Sequence, residues 1–385
     1  MLKFFWLALL PSLITFSSFA GTAPQDASDK IVVVGDIHGD FEQFTCVLRQ
    51  AGLINSRMRW TGKNATLVQM GDIVDRGPDS RKIIDLLRKL KSMARRAKGD
   101  VYALIGNHEA MLIAADTRYT HPGEYKAFVN SRSKRKQHLY FDLYIEHMKK
   151  TQPEESWPDY ESADYIRFLE MQFPLGYVEY MQAWAPKGDY GAWASSNPAV
   201  LKIGRLLFVH GGMGPTTQNY TITEINQWIQ SELGTREQAM KSDVLNDPNG
   251  PLWYRGHILA SEDDPAERKL ITDVLERYEV DHVIVGHTPV AGAILPRFDG
   301  TVIGVDVGLA DYYGGPCAFL EITGKQLTAV HNGNRIDLPS PGNDVGSYLH
   351  KVLSLDSENE TLKSYIQQLE NPETKEPVIE SDKLN

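Results

Sequence analysis

Five apolar runs in this chain, Ile31-Val34, Thr66-Met70, Val101-Ile105, Leu206-Val209 and His282-Val285, are each followed at once by a glycine-bearing polar segment. Those segments are Gly35-Asp36-Ile37-His38-Gly39-Asp40, Gly71-Asp72-Ile73-Val74-Asp75-Arg76-Gly77, Gly106-Asn107-His108-Glu109, His210-Gly211-Gly212 and Gly286-His287-Thr288. A short continuous apolar run bounded in this way reads as a strand buried on both faces. Side chains just past the ends of neighbouring strands converge in space although they lie far apart in the chain. The fold is thereby constrained: a sheet-based core must bring Asp36, His38, Asp72, Asn107, His210 and His287 to one place.

Carboxylate and amide oxygens suit hard divalent ions, and imidazole suits zinc, iron and manganese. The six residues are enough for two adjacent divalent metal ions, with Mn, Fe and Zn all chemically admissible. Asp36 and His38 share one ion, Asp72 bridges with its two carboxylate oxygens, and Asn107, His210 and His287 complete the second. Two-metal sites clamp the attacking and leaving oxygens of a phosphoryl displacement and lower the pKa of bound water toward about 7, which makes a metal-held hydroxide the expected nucleophile. His108 is left without a metal and is the candidate general acid, with Asp75 orienting it and raising its pKa. Arg76, Arg255 and Asn107 are the candidate phosphate-binding residues, the two arginines through planar forks. The chain reads as a metal-dependent phosphatase.

The net charge of −10 over 385 residues excludes a nucleic-acid backbone as a general partner. Residues 1–20 read as a signal peptide, with Lys3, an apolar stretch from Phe4 to Phe16, and Ser18-Phe19-Ala20 at the cleavage site. The apolar stretch is too short and broken by Pro11 for a membrane span, so the expectation is a secreted or periplasmic enzyme, or a lumenal one in a eukaryote, with no stable span after cleavage; an uncleaved anchor is the alternative. Cys46 and Cys317 fit no zinc pattern. They read as small buried hydrophobes, with a disulfide left open by the leader. Sequons occur at Asn64, Asn219 and Asn359.

Strand and helix alternate from residue 30. The periodicity predicts helices over 40–50, 79–98 and 109–115, and this βαβαβ order implies a parallel sheet. Residues 116–200 break the rhythm and read as a helical insertion beside the site. Its basic run, Arg132, Lys134, Arg135 and Lys136, is a solvated face or a docking surface for acidic substrates. After 203 the chain is strand-rich, with one strand over 203–209 and hairpins around Asp299-Gly300 and Thr323-Gly324-Lys325. Catalytic residues are expected within 30–338, and 339–385 reads as an acidic, loosely packed tail.

The five segments resemble the phosphoprotein phosphatase family of metallophosphoesterases, over about residues 31–330. Within it the resemblance is to the Shewanella-like branch, carried by Leu252-Trp253-Tyr254-Arg255-Gly256, by the extra 116–200 region, and by Gly304-Val305-Asp306-Val307-Gly308 near the place of the Ser-Ala-Pro-Asn-Tyr-Cys motif of eukaryotic enzymes. The resemblance implies an α/β calcineurin-like metallophosphoesterase fold: a central two-sheet β-sandwich flanked by helices, with a helical insertion. It places the metal, acid and phosphate roles on the residues already named, and implies phosphoprotein or phosphopeptide substrates, phosphotyrosine as well as phosphoserine or phosphothreonine. The missing eukaryotic motif implies no tyrosine from that loop and no inhibition by okadaic acid or microcystin. Two other functions share the segments. A diadenosine tetraphosphate hydrolase is disfavoured by the leader, since dinucleoside polyphosphates are mainly cytosolic. A metal-binding pseudophosphatase is disfavoured because every chemical role is filled.

Overall fold

The computed structural model describes residues 30–340, 342 and 344–371; the predicted signal peptide and the last residues of the tail lie outside them. β1 (Lys30–Val34), β2 (Thr66–Gln69) and β3 (Asp100–Ala103) run parallel, linked by helices α1 (Phe41–Gln50) and α2 (Ser80–Arg96). α3 (Asn107–Ile113) follows β3 directly. Ile31 to Val34 are at most 1% exposed, as the unbroken apolar run requires of a strand covered on both faces. Each such side chain contributes about 1.5–3 kcal/mol on burial. Asp40 caps α1 by accepting from Gln43 N at 2.9 Å. α2 turns Ile83, Ile84, Leu87 and Leu90 into the core.

The insertion is helical as expected: α4 (Pro122–Ala127), α5 (Ser133–Thr151), α6 (Ala163–Gln172), α7 (Tyr177–Ala183) and α8 (Asp189–Ser195). It docks on α2 through Arg88 to Asp189 at 3.0 Å, Tyr190 to Asp85 at 3.0 Å, and Ser80 N to the buried Glu124 carboxylate at 2.7 Å. A second parallel trio follows. β5 (Leu206–Val209) pairs with β6 (His282–Val285), and β6 pairs with β8 (Val302–Gly304). β4 (Val200–Ile203) and β7 (Leu295–Arg297) add antiparallel edges. Between β5 and β6 lie α9 (Ile222–Glu232), α10 (Arg236–Lys241), α11 (Gly256–Leu259) and α12 (Pro265–Tyr278). β9 (Ala318–Thr323), β10 (Gln326–His331) and β11 (Asn334–Asp337) return to the first sheet, whose order is β11-β10-β9-β1-β2-β3; the second is β4-β5-β6-β8-β7. This is the two-sheet α/β architecture that the resemblance implied.

Three details differ from the sequence reading. The strand expected over 203–209 is a hairpin, because Gly204 takes a left-handed φ of 57° and reverses the chain between β4 and β5. The segment beyond 338 is packed up to residue 371. α13 (Val345–Leu355) and α14 (Glu360–Glu370) bury Tyr348, Leu349, Val352, Leu362 and Ile366. Asn359 is buried there, with its amide donating to Gly292 O at 2.9 Å, so that sequon is closed to modification in the folded chain. Lastly, Cys46 and Cys317 are bonded to each other, joining α1 to the start of β9, and are not two independent buried thiols. Among the described residues no helix is long and apolar enough to cross a membrane.

Candidate active site

The C-terminal ends of the two parallel trios meet. β1 leads to Asp36 and His38, β2 to Asp72, β3 to Asn107, β5 to His210 and β6 to His287. Asp36, His38, Asp72, Arg76, Asn107, His108, Arg255 and His287 line one cleft, and His210 and Asp75 stand immediately behind it. All ten predicted site residues are therefore brought together. Five of them, His38, Asp72, Asp75, Arg76 and His287, have left-handed φ values between 46° and 67°. Such backbone costs of the order of 1–3 kcal/mol per residue and persists where surrounding structure overdetermines it. Here the overdetermination is visible: Ile37 N and His38 N both donate to Asp72 O at 3.0 Å, and Gly39 N donates to Ile73 O at 2.7 Å.

Asp72 is the hub. Its Oδ1 accepts from His108 N, at the start of α3, at 3.0 Å. Its Oδ2 faces Nε2 of His210 at 3.4 Å, of His108 at 3.8 Å and of His38 at 4.0 Å. His38 and His210 each turn Nδ1 to a backbone carbonyl, Val74 O at 2.9 Å and Met70 O at 2.8 Å. A carbonyl only accepts, so each Nδ1 carries a proton and each ring turns its Nε2 toward the Asp72 carboxylate. His210 Nε2 also lies 2.9 Å from Asn107 Oδ1. Such a convergence of oxygens on imidazole nitrogens is held together by a cation: a proton on His210, opposed by burial but favoured by Asp72, or a metal ion in its place. His287 Nε2 is likewise buried with no hydrogen-bond partner among the described residues. Two groups, His38–Asp72–His108 and Asp72–His210–His287, place their ligand atoms within 4.8 Å of one another and share Asp72. The donor set fits two divalent ions with Asp72 between them. The first group contains His108 where the sequence reading puts Asp36; the Asp36 carboxylate instead accepts from His287 N at 3.1 and 3.2 Å and closes the same end of the cleft.

Burial and mutual charge shift the groups of the cluster strongly. Burial, then Asp306 and Asp72, push Asp36 well above the usual carboxylate range. Burial works against ionisation of Asp72, but His210 and His108 outweigh it and hold its carboxyl well below that range. Burial, followed by the charge of His108, pulls His38 down to about 3. Approach to the hub is also close enough to exclude side chains. A Cβ at Gly71 would stand 2.9 Å from His210 Nδ1, and one at Gly286 2.6 Å from Asp36 Oδ1.

His108 has a second partner. Its Nδ1 lies 2.7 Å from Asp75 Oδ2, and Thr120 Oγ1 donates to Asp75 Oδ1 at 3.0 Å. Burial pulls the imidazole down, but Asp72 and the hydrogen bond to Asp75 overcome it and the net shift is upward.

Several contributors were not among the predicted site residues. Glu109 accepts from Gly106 N at 2.8 Å, Asp72 N at 3.0 Å and Ile73 N at 2.8 Å, and so clamps two ligand loops together. Burial and then Asp72 raise it to about 6. Asp306 lines the cleft beyond β8, and burial pushes it up to about 6. Its signal was present, since Val302–Gly304 is another apolar run leading to an acid. Tyr119, Tyr312 and Tyr313 surround the Arg76 guanidinium with ring centroids at 5.3, 5.1 and 5.0 Å. The loop after Asp306 therefore does bring tyrosines to the site, contrary to the sequence expectation. Among the described residues of the cleft lining, the insertion contributes Tyr119. The basic run lies on and just before α5, outside that lining, and Lys136 is tied to Gln182 and Glu179 at 2.8 and 3.6 Å.

Two sheets pooling Asp, Asn and His at their strand ends, with an imidazole–carboxylate pair alongside, define a metallophosphoesterase. The chain belongs to the calcineurin-like phosphoesterase family, whose profile matches residues 29–291. It is 31% identical over 339 residues to an uncharacterized protein of Schizosaccharomyces pombe, covering 84% of this chain and 88% of that one. It is 30% identical over 297 residues to Shewanella-like protein phosphatase 2 of Arabidopsis thaliana, covering 73% and 72%. The cold-active protein-tyrosine phosphatase of a psychrophilic Shewanella species shares the fold, with a TM-score of 0.60, 24% identity and 81% of each chain covered.

Proposed function

We propose that this chain is a two-metal phosphomonoester hydrolase acting on phosphoproteins, with His108 as general acid. The observation that carries the reading is the buried Asp72 carboxylate among three imidazoles, one of which, His108, turns its other nitrogen to Asp75. Divalent ions held by Asp36, His38, Asp72, Asn107, His210 and His287 would supply Lewis-acid activation of water and charge neutralisation of the phosphoryl group. The chain's own residues do the rest. Arg76 and Arg255, both in the cleft lining, hold the phosphoryl oxygens. Asp75 keeps the His108 ring oriented, with a proton on Nε2 for the leaving oxygen. Tyr119 and Tyr313 line the cleft, and with the exposed Tyr312 they set three aromatic rings around Arg76. Those aromatic surroundings support a preference for aryl phosphates, phosphotyrosine among proteins, over phosphoserine. The similarity to Shewanella-like protein phosphatase 2 supports a phosphoprotein substrate. Similarity to a symmetrical bis(5'-nucleosyl)-tetraphosphatase of Wigglesworthia glossinidia brevipalpis spans only 21% of the chain. The Cys46–Cys317 disulfide supports the extracytosolic location expected from the leader.

The test is a substrate panel on purified protein, with manganese, iron or zinc added in turn: p-nitrophenyl phosphate, phosphotyrosine and phosphoserine peptides, and diadenosine tetraphosphate. The expected order is p-nitrophenyl phosphate and phosphotyrosine above phosphoserine, with little turnover of the dinucleotide. Dominant cleavage of diadenosine tetraphosphate would replace the phosphoprotein reading, and inactivity with two metals bound would make the chain a binding protein.

A further inference from the structure

Arg255 reaches the cleft from the loop that opens α11, where its Nη1 donates to His287 O at 2.9 Å. The same Nη1 also lies 3.5 Å from Thr288 Oγ1; such bonds at the tip steady the guanidinium but do not orient the side chains that flank it. The residues on either side, Tyr254 and His257, both lead to a single carboxylate outside the cleft, that of Glu267 on α12. We infer that Glu267 is the positioning residue for Arg255 and so sets the enzyme's grip on phosphate; the inference rests on the proposed role of Arg255.

Glu267 is 6% exposed, and its two oxygens are divided between the two partners. Oε1 takes His257 Nδ1 at 2.5 Å, and Oε2 accepts from the Tyr254 hydroxyl. His257 is fully buried, and Met213 N donates to its Nε2 at 3.1 Å. A backbone N–H only donates, so Nε2 is the bare nitrogen and Nδ1 carries the proton toward Glu267. The ring is thus held in one tautomer and one orientation. The Tyr254 ring is pinned as well. A Cβ at Gly214 would come within 2.7 Å of it and one at Gly212 within 3.0 Å, so the strip after ligand His210 must stay bare for the ring to lie there. At Gly256 any side chain would run into the Tyr254 hydroxyl. Glu267 therefore closes a pincer across Arg255, with one jaw on each side, and a helix remote from the metals fixes the direction of the guanidinium. A buried carboxylate that merely satisfied its neighbours would not need partners flanking a single cleft arginine.

The test uses the full, manganese-loaded chain and inorganic phosphate as the probe. Glu267→Gln and Tyr254→Phe are each expected to raise the inhibition constant for phosphate and KM for p-nitrophenyl phosphate by about three- to tenfold, with kcat within about twofold and metal content at the parent value. In an Arg255→Ala background, which by itself weakens phosphate at least as much, Glu267→Gln should add less than about 1.5-fold, because its effect passes through the arginine already removed. A full additional effect in that background would overturn the inference, as would unchanged phosphate inhibition in both single variants. Should Glu267→Gln fail to fold, Tyr254→Phe carries the same comparison. If Arg255→Ala does weaken phosphate and the other two variants are silent, the inference alone is lost. If Arg255→Ala is itself silent, the phosphate role of Arg255 is wrong and the inference goes with it.

Discussion

Replacing Asp75 by Asn tests the proposed acid at its support. The substitution is sterically mild: Asp75 has a φ of 67°, and Asn is among the residues that tolerate the left-handed region best. Asn Oδ1 can still accept from Thr120 Oγ1, which leaves the Nδ2 amide facing His108 Nδ1 at the place where the carboxylate stood 2.7 Å away. An amide N–H there donates, so Nδ1 must give up its proton and the imidazolium loses its partner. With ions bound, the charge of Asp72 is largely taken up by them, and Asp75 is the remaining influence that raises His108. A hydrogen bond to a charged group contributes about 1.5–3 kcal/mol. At about 1.36 kcal/mol per unit, the His108 pKa should fall by roughly one to two units. The active form is the protonated one, so activity is retained below that pKa and lost as pH rises through it. The basic limb of the kcat/KM profile should therefore move to lower pH by the same one to two units, with activity approaching the parent level on the acid side. The shift should be pronounced for a phosphoserine peptide or an alkyl phosphate, whose leaving oxygen needs a proton, and small for p-nitrophenyl phosphate. A uniform loss at all pH values with the basic limb unmoved, or equal losses on both leaving groups, would refute the reasoning and leave Asp75 a structural residue.

Asp72→Asn should lower bound metal and abolish turnover, whereas His108→Asn should keep the parent metal content; elemental analysis of the two variants decides whether His108 is an acid or a ligand. Burial raises Glu124 to about 7 in the folded chain against an ordinary value of 4.5. The folded state thus holds the proton more tightly, and this contribution to stability is complete below pH 4.5 and lost as pH rises through about 7. Glu124→Gln should flatten the pH dependence of the melting temperature across that window, and an unchanged slope would remove Glu124 as its source. Neutralising Arg132, Lys134 and Arg135 together should leave kcat/KM for acidic phosphopeptides within about twofold, since exposed charges outside the cleft interact weakly through water; a larger rise in KM would restore α5 as a docking surface.

The site was legible because its ligands follow the strands without intervening structure. An apolar strand leading directly into a glycine-bearing segment with Asp, Asn or His encodes both the scaffold and the position of the side chain, and five such units locate one another through the parallel order of the sheets. Asp306 belongs to the same grammar and was overlooked because Gly304 falls inside its strand, so that the run and the acid did not separate cleanly. The disulfide was undecidable from spacing, since its cysteines are 271 positions apart and meet only because β9 returns beside β1. The tail was misjudged for a related reason. Its acidic, proline-bearing composition averages over the whole tail, while the apolar residues that dock its described part, Tyr348, Leu349, Val352, Leu362 and Ile366, are spread across two short helices.

Contacts that position the chemistry from a distance were illegible for a deeper reason. Thr120 reaches Asp75 across 45 positions, Glu109 reaches Asp72 across 37, and Glu267 reaches Tyr254 across 13; Thr120 and Glu267 lie outside the five segments, and Glu109 lies within one without its supporting role being marked by the spacing. They matter because a bare cluster of Asp and His binds ions without imposing a direction on the reaction. Asp75 and Thr120 give the imidazole one orientation, Glu109 gives the Asp72 loop one height against α3, and the proposed Glu267 pincer gives the arginine one approach. Each acts by pairing with a buried donor or acceptor, so hydrogen bonds outside the ligand set contribute to the specificity of the geometry. A sequence that kept every motif and lost these supports would still be expected to bind two ions, and would be expected to turn over substrate slowly, with little discrimination between aryl and alkyl phosphates.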